Sequence, residues 1–158
     1  MTTHLHLLRH AHSSWAEPGQ RDHQRPLDER GRREATRLAG ELAARPRAVD
    51  RVVCSTATRA VETFDLIRPA LPNGFTVEWS DALYAEGVDA YFSALRSAPG
   101  SVLLVGHNPT LEELVDSLAP TVESSLQDGI GTANWLTLHH EPVGDDEGAW
   151  RLSEIWRP

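Results

Sequence analysis

Cys54 is the only cysteine in this chain of 158 residues. An internal disulfide is therefore excluded, and the composition fits a reducing compartment, so a cytoplasmic location is expected. Lysine is missing altogether: all 15 basic residues are arginines. Any anion site must then be built from guanidinium groups, backbone N–H groups or imidazoles. No apolar stretch approaches the ~20 residues needed to cross a bilayer. The opening MTTHLHLLRH lacks the basic-then-apolar layout of a secretory signal, so no membrane partner is expected. An excess of positive charge is also lacking. The formal net charge is -8, which argues against a nucleic-acid partner. No repeat, low-complexity tract or linker interrupts the sequence, so one domain over residues 1–158 is expected, by default as a monomer. With 40% apolar and 24% charged residues, the chain can bury a core without disulfides or a structural metal.

The hydrophobic pattern alternates between two periods. LHLLR (5–9) reads as a strand, followed by a polar, proline-containing loop over 11–29. Ala35, Leu38, Ala39 and Leu42 form an i, i+3, i+4, i+7 stripe, which predicts a helix over 30–45 with Asp28 as N-cap and Pro46 as its stop. RVVCS (51–55) is a second strand, and 57–68 a helix with Ala60, Val61, Phe64 and Ile67 inward. FTVEW (75–79) is a weaker strand, and Val88, Tyr91, Phe92 and Leu95 mark another helix. SVLLV (101–105) is apolar throughout, as expected of a strand buried on both faces of a parallel sheet. Leu111, Leu114, Val115 and Leu118 mark the next helix; NWLTL (134–138) and AWRLSEIW (149–156) are late strands joined by EPVGDDEG. This order predicts an α/β fold, a three-layer sandwich with a mostly parallel central sheet and helices on both faces.

In such sheets, ligands gather beyond the carboxyl ends of the strands. Three predicted strand ends are chemically loaded. One ends in Arg9-His10-Ala11, another in Cys54-Ser55-Thr56 ahead of Arg59, and a third in Gly106-His107-Asn108-Pro109. Two arginines, two histidines and two helix N-termini thus point to one rim. Arginine forks and free helix-end N–H groups suit a dianionic phosphoryl group. Asn108 is expected as N-cap with Pro109 at the first helical position, and Gly106 as a sharp turn under His107.

Two other chemistries compete for these residues. HLHLLRHAH (4–12) holds four histidines in nine positions, and His10-Ala11-His12 resembles the paired ligands of metal-dependent amidohydrolases. That chemistry calls for a barrel of ~250 residues, too large for this chain. CSTATR (54–59) resembles a cysteine-phosphatase loop, but only four residues separate Cys54 from Arg59 and the loop lacks glycine. Cys54 therefore reads as a strand residue. His4 and His6 read as packing residues, and His12 as part of the rim.

Taken in order, LLRHAHSSW, RPLDERGRREA, CSTATRAVET and LLVGHNPTLEEL resemble the histidine phosphatase superfamily, with its phosphoglycerate-mutase-like fold. Within it they look most like the small SixA-type phosphohistidine phosphatases. The resemblance implies His10 as a nucleophile that forms a phosphohistidine, its other ring nitrogen donating to a backbone carbonyl. It implies Arg9, Arg59 and His107 as groups that bind the phosphoryl oxygens, with Ser13 and Asn108 as pocket-lining candidates. No metal or cofactor is required.

The general acid is less defined. One branch of the superfamily carries Asp directly after the second histidine, where this chain has Asn108. The mutase branch uses a Glu in the segment after the third strand, which makes Glu86 the candidate proton donor. The late Pro-Thr motif of the family is Gly131-Thr132 here. Short segments around the pocket imply an open site, and hence a phosphorylated protein as partner and substrate. The alternatives are a small phosphate ester and a phosphate-binding module without turnover.

Overall fold

The computed structural model describes residues 2–15, 17–120, 126–143 and 146–158. In chain order its elements are β1 (Thr2–Arg9), α1 (Glu29–Ala44), β2 (Arg51–Ser55), α2 (Thr58–Ile67), β3 (Thr76–Ser80), α3 (Ala82–Ala85), α4 (Val88–Arg96), β4 (Gly100–Gly106), α5 (Thr110–Leu118), β5 (Trp135–Val143) and β6 (Asp146–Trp156). Short 3₁₀ turns lie at Asp22–Gln24 and Arg68–Ala70. The six strands form one sheet in the order β3-β2-β4-β1-β5-β6. The first four in that order are parallel, and β5 and β6 run antiparallel to their neighbours. The expected α/β architecture is thus observed, with a sheet that is mostly but not wholly parallel.

Alternation along the central strands assigns the two helical layers. Val102 and Leu104 face one way, with Leu5, Leu7 and Val53, and pack under Tyr91 and Leu95 of α4 and Leu111, Leu114 and Val115 of α5. Leu103 and Val105 face the other way, with Leu8, Val52 and Cys54, and pack under Leu38 and Leu42 of α1 and Ala60 and Phe64 of α2. SVLLV is therefore buried on both faces, which is why it carries no polar alternation. β3 lies at an edge and is largely exposed, which accounts for its weak sequence signal.

The late strands are longer than their apolar patterns. β5 continues to Val143 and β6 starts at Asp146, so the polar EPVGDDEG stretch is largely strand-paired; Gly144 and Asp145 lie outside the described residues. Antiparallel ladder bonds hold these polar residues where side-chain periodicity gave no cue.

The loop over 11–29 is pinned to the first turn of α1. Asp28 caps this helix through its Oδ1, accepting from the Gly31 N–H at 2.8 Å, and its own N–H donates to the His12 carbonyl. The His12 backbone lies so close that a Cβ added at Gly31 would overlap the His12 carbonyl oxygen. Gly31→Ala is therefore expected to destabilise the fold by about 1–3 kcal/mol. Urea unfolding should show a lower midpoint at unchanged slope.

Candidate active site

Register sets the geometry. Arg9 of β1 pairs with Gly106 of β4, and Cys54 of β2 pairs with Val105. Arg9, Gly106 and Ser55 therefore end their strands at one level, and His10 and His107 each follow one residue later. The two imidazoles sit with ring centroids 5.1 Å apart.

His10 is held at both ring nitrogens. Nδ1 lies 2.7 Å from the Ala11 carbonyl oxygen and so donates to it. Nε2 lies 3.4 Å from Arg59 Nε, which can only donate. Both partners select the same tautomer, with its lone pair on Nε2. Burial lowers the pKa of His10 to about 3, outweighing the Ala11 hydrogen bond, with help from His107, Arg59 and Arg9. His107 falls to about 4, through burial first and then the charge of Arg59. Both rings are neutral at pH 7. The His107 backbone N–H donates to the Tyr91 hydroxyl, and its Nε2 lies 2.7 Å from Ser55 Oγ.

His10 and His107 line a cavity of about 390 Å³ together with Arg9, Arg25, Arg59, His12, Ser13, Trp15, Asp22, Asn108 and Thr132. Arg59 stands in the first turn of α2 and reaches back to the 3₁₀ turn, donating to the Asp22 carbonyl (2.8 Å) and to Asp22 Oδ2 (3.1 Å). Arg9 donates to the Ile130 carbonyl at 2.8 Å, and its Nε has no hydrogen-bond partner among the described residues. Arg25 donates to the Ser13 carbonyl and to Asp22 Oδ1, and its guanidinium lies 4.1 Å from the centroid of the Trp15 ring. Burial lowers the pKa of both Arg9 and Arg59, but from so high a starting value that both stay cationic at neutral pH. Burial alone would raise the pKa of Asp22. Hydrogen bonds from Tyr84 and Arg25, with the charge of Arg59, outweigh it and hold the carboxyl below its usual range.

The four residues most strongly expected, Arg9, His10, Arg59 and His107, are thus brought together. Ser13 lines the cavity too, with its hydroxyl donating to the Pro26 carbonyl. Asn108 also lines it but is not the expected helix cap: α5 begins at Thr110, after a cis Asn108-Pro109 bond. Its amide instead donates to Glu112 Oε1 and the Ile130 carbonyl, tying α5 to the segment before β5. Gly106 makes no left-handed turn. Its hydrogen leaves room for the Tyr91 hydroxyl, which a Cβ would overlap. His12 is turned to Asp28 (2.6 Å) at the rim, and His6 is a packing residue bonded to Thr137 and the Ala48 carbonyl.

Glu86 corrects the sequence reading. It is an exposed residue at the C-cap of α3, outside the cavity lining, so it is not placed to protonate a leaving group. The carboxylate on the cavity is Asp22. Asp22, Arg25, Trp15 and Tyr84 went unnoticed because they lie in the loop and in a one-turn helix, where no periodicity marks a side chain's direction. Arg25 did stand in the RPLDERGRREA block that carries the resemblance. Cys54 is fully buried in the core under α1 and α2, and burial pushes its thiol pKa up, so it is no nucleophile.

Neutral burial of imidazoles has a thermodynamic sign. Unfolded, His6, His10 and His107 would titrate near 6.5; folded, they do so at about 4, 3 and 4. Between those values the unfolded chain binds more protons, so this contribution is complete above pH 6.5 and is lost as pH falls toward 4. The urea midpoint is expected to drop between pH 7 and 4.5, and to drop less in His107→Gln.

The model of the histidine phosphatase superfamily (branch 1) matches residues 5–84 of this chain. An uncharacterized protein of Mycobacterium tuberculosis, Rv1276c, is 37% identical over 115 residues, covering 71% of this chain and 70% of that protein. Among solved structures, a SixA-named protein of Agrobacterium tumefaciens superposes with a TM-score of 0.88 at 32% identity, over 100% of this chain and 99% of the other. A protein histidine phosphatase SixA solved with tungstate shares the fold, with a TM-score of 0.74 at 22% identity over 98% and 96% of the two chains. The sequence match and the full-length structural match agree with the paired imidazoles and clustered arginines at the strand ends: this chain belongs to the histidine phosphatase superfamily.

Proposed function

We propose that this protein is a metal-independent phosphatase that hydrolyses phosphohistidine in a protein substrate by way of a phosphohistidine on His10. The observation that carries this reading is the His10 tautomer: Nδ1 bound to the Ala11 carbonyl, and Nε2 left unprotonated, its lone pair 3.4 Å from Arg59 Nε in a cavity lined by Arg9, Arg25 and Arg59. A phosphoryl group seated there meets a nucleophile that needs no deprotonation, among fixed positive charges that cost no reorganisation as the transition state forms.

In the first step His10 Nε2 forms a bond to phosphorus as the phosphorus–nitrogen bond of the substrate breaks. The bonding pair returns to the leaving nitrogen. When the other ring nitrogen of the substrate imidazole already carries a proton, the product is neutral imidazole and no donor is needed. In the second step water attacks phosphorus and the bond to Nε2 breaks, giving inorganic phosphate with the water's proton passed to it or to solvent. Asp22, the carboxylate on the cavity, is held ionised by its arginine and tyrosine partners and is no proton source at neutral pH. This favours a phosphoramidate over an alkyl phosphate, whose departing oxygen needs a proton. The match to a SixA-named protein supports the same substrate class.

Three outcomes test the reading. A labelled phosphohistidine peptide mixed with the protein in EDTA and quenched early in alkali should leave an acid-labile, alkali-stable label on wild type and none on His10→Ala. Arg59→Ala should lower kcat/KM by about 10²–10³-fold, the usual cost of one preorganised oxyanion donor. Glu86→Gln should leave kcat/KM within about twofold, because its side chain lies off the cavity. Faster turnover of small alkyl phosphates than of the phosphohistidine peptide would reassign the substrate class.

A further inference from the structure

We infer that Ser55 is a positioning residue: its hydroxyl donates to Nε2 of His107 and fixes that ring with its proton on Nδ1, ready to donate to a phosphoryl oxygen. This rests on the phosphatase reading of the site, but the position of the proton can be read without turnover.

The argument is a proton inventory. A serine hydroxyl has one proton and two lone pairs. Ser55 closes β2 and is fully buried. Its Oγ accepts the Ala57 N–H at 3.2 Å and lies 2.7 Å from His107 Nε2. The structure gives the hydroxyl proton no other acceptor among the described residues. If Nε2 carried the ring proton, Oγ would accept twice and its own proton would be buried without a partner, at a cost of about 1–3 kcal/mol. The reverse arrangement satisfies every atom of the pair: Ser55 O–H donates to the bare Nε2, and one Oγ lone pair still receives the Ala57 N–H. The ring proton then sits on Nδ1, which is buried and has no partner among the described residues, on a side chain that lines the cavity. A buried donor that the protein's own groups leave unsatisfied calls for a partner, and an acceptor oxygen brought by the substrate supplies one.

Charge alone could have placed protons on both nitrogens. His107 is faced by Arg9 and His10 after β1, Asp22 and Arg25 from the loop, Arg59 from α2, the Tyr84 ring at 5.7 Å, and the Tyr91 hydroxyl from α4. Burial first, and then three guanidiniums against one carboxylate, keep the ring neutral. The identity of the protonated nitrogen is then decided by hydrogen-bond partners, and Ser55 is the partner on Nε2. His10 is fixed in the same sense by a different device, a backbone carbonyl on Nδ1. One ring thus offers a lone pair and the other a proton. The plain alternative is that Ser55 only braces the turn into α2 through the Ala57 N–H, with no influence on the imidazole.

The test is long-range ¹H–¹⁵N correlation on histidine-labelled protein, with and without inorganic phosphate, alongside phosphohistidine-peptide kinetics. Wild type should show His107 with Nδ1 protonated and Nε2 bare. Ser55→Ala should show a mixed or reversed tautomer, and Ser55→Thr should keep the wild-type pattern. At pH 7.5, Ser55→Ala should lower kcat/KM about tenfold or more, the usual scale for a misdirected donor. That deficit relative to wild type should shrink only as the pH falls toward 4, where His107 begins to take up its second ring proton, because an imidazolium carries a proton on Nδ1 whatever Ser55 does. Wild-type His107 protonated on Nε2 would overturn the inference, and this measurement needs no variant to fold. A Ser55→Ala spectrum with the tautomer unchanged, or a deficit independent of pH, would overturn it too and leave Ser55 as a turn brace. Loss of the phosphatase reading would show separately, as absent turnover in wild type with the tautomer still resolved.

Discussion

Parallel pairing of β1 with β4 is the constraint on which the site depends. With Arg9 opposite Gly106, both strands stop at the same height and their next residues, His10 and His107, emerge side by side. A slip of one residue would turn Leu5 and Leu7 out of the layer they share with Val102 and Leu104, so the hydrophobic pattern locks the register. The spacing of the two imidazoles is therefore fixed by aliphatic packing several residues away. β2 adds the third level end, and through it Ser55 and the start of α2.

A second effect decides the charge state. Placing two imidazoles beside three arginines invites the assumption that electrostatics governs them. For both rings, burial is the larger influence and the guanidiniums add to it. The same burial that makes a charged histidine expensive leaves a neutral one with a free lone pair. The arginines tolerate burial because each finds carbonyl or carboxylate oxygens: Ile130 for Arg9, Ser13 and Asp22 for Arg25, Asp22 for Arg59. The site is a set of cations balanced chiefly by backbone dipoles, which leaves their charge available to an incoming anion.

Much of this was legible in the sequence, because repeated periodicities encode it. The order of strands and helices, the doubly buried SVLLV strand and the Asp28 cap all follow from side-chain spacing. Arg9, His10, Arg59 and His107 stand at the ends of periodic segments, where direction can be deduced. Glu86 was misjudged because a one-turn helix fixes no direction that a residue count can supply. Asp22, Arg25 and Trp15 belong to a loop whose path is set by contacts with His12, Asp28 and Gly31, all nonlocal in effect. The cap expected at Asn108 failed for a similar reason: its amide finds better partners in Glu112 and Ile130 across the fold than in its own helix.

Asp22 gives the loop a stake in whatever anion the cavity holds. Its carboxylate and its carbonyl both occupy the fork of Arg59, while its other oxygen holds Arg25. An oxyanion that takes the same fork must share it with Asp22 or displace it. Anion occupancy and the position of the 22–25 turn are then two readings of a single equilibrium, and each must change the other by the same factor. The protein carries its own competing ion, tethered by a few residues of chain, against which any anion entering the cavity is weighed.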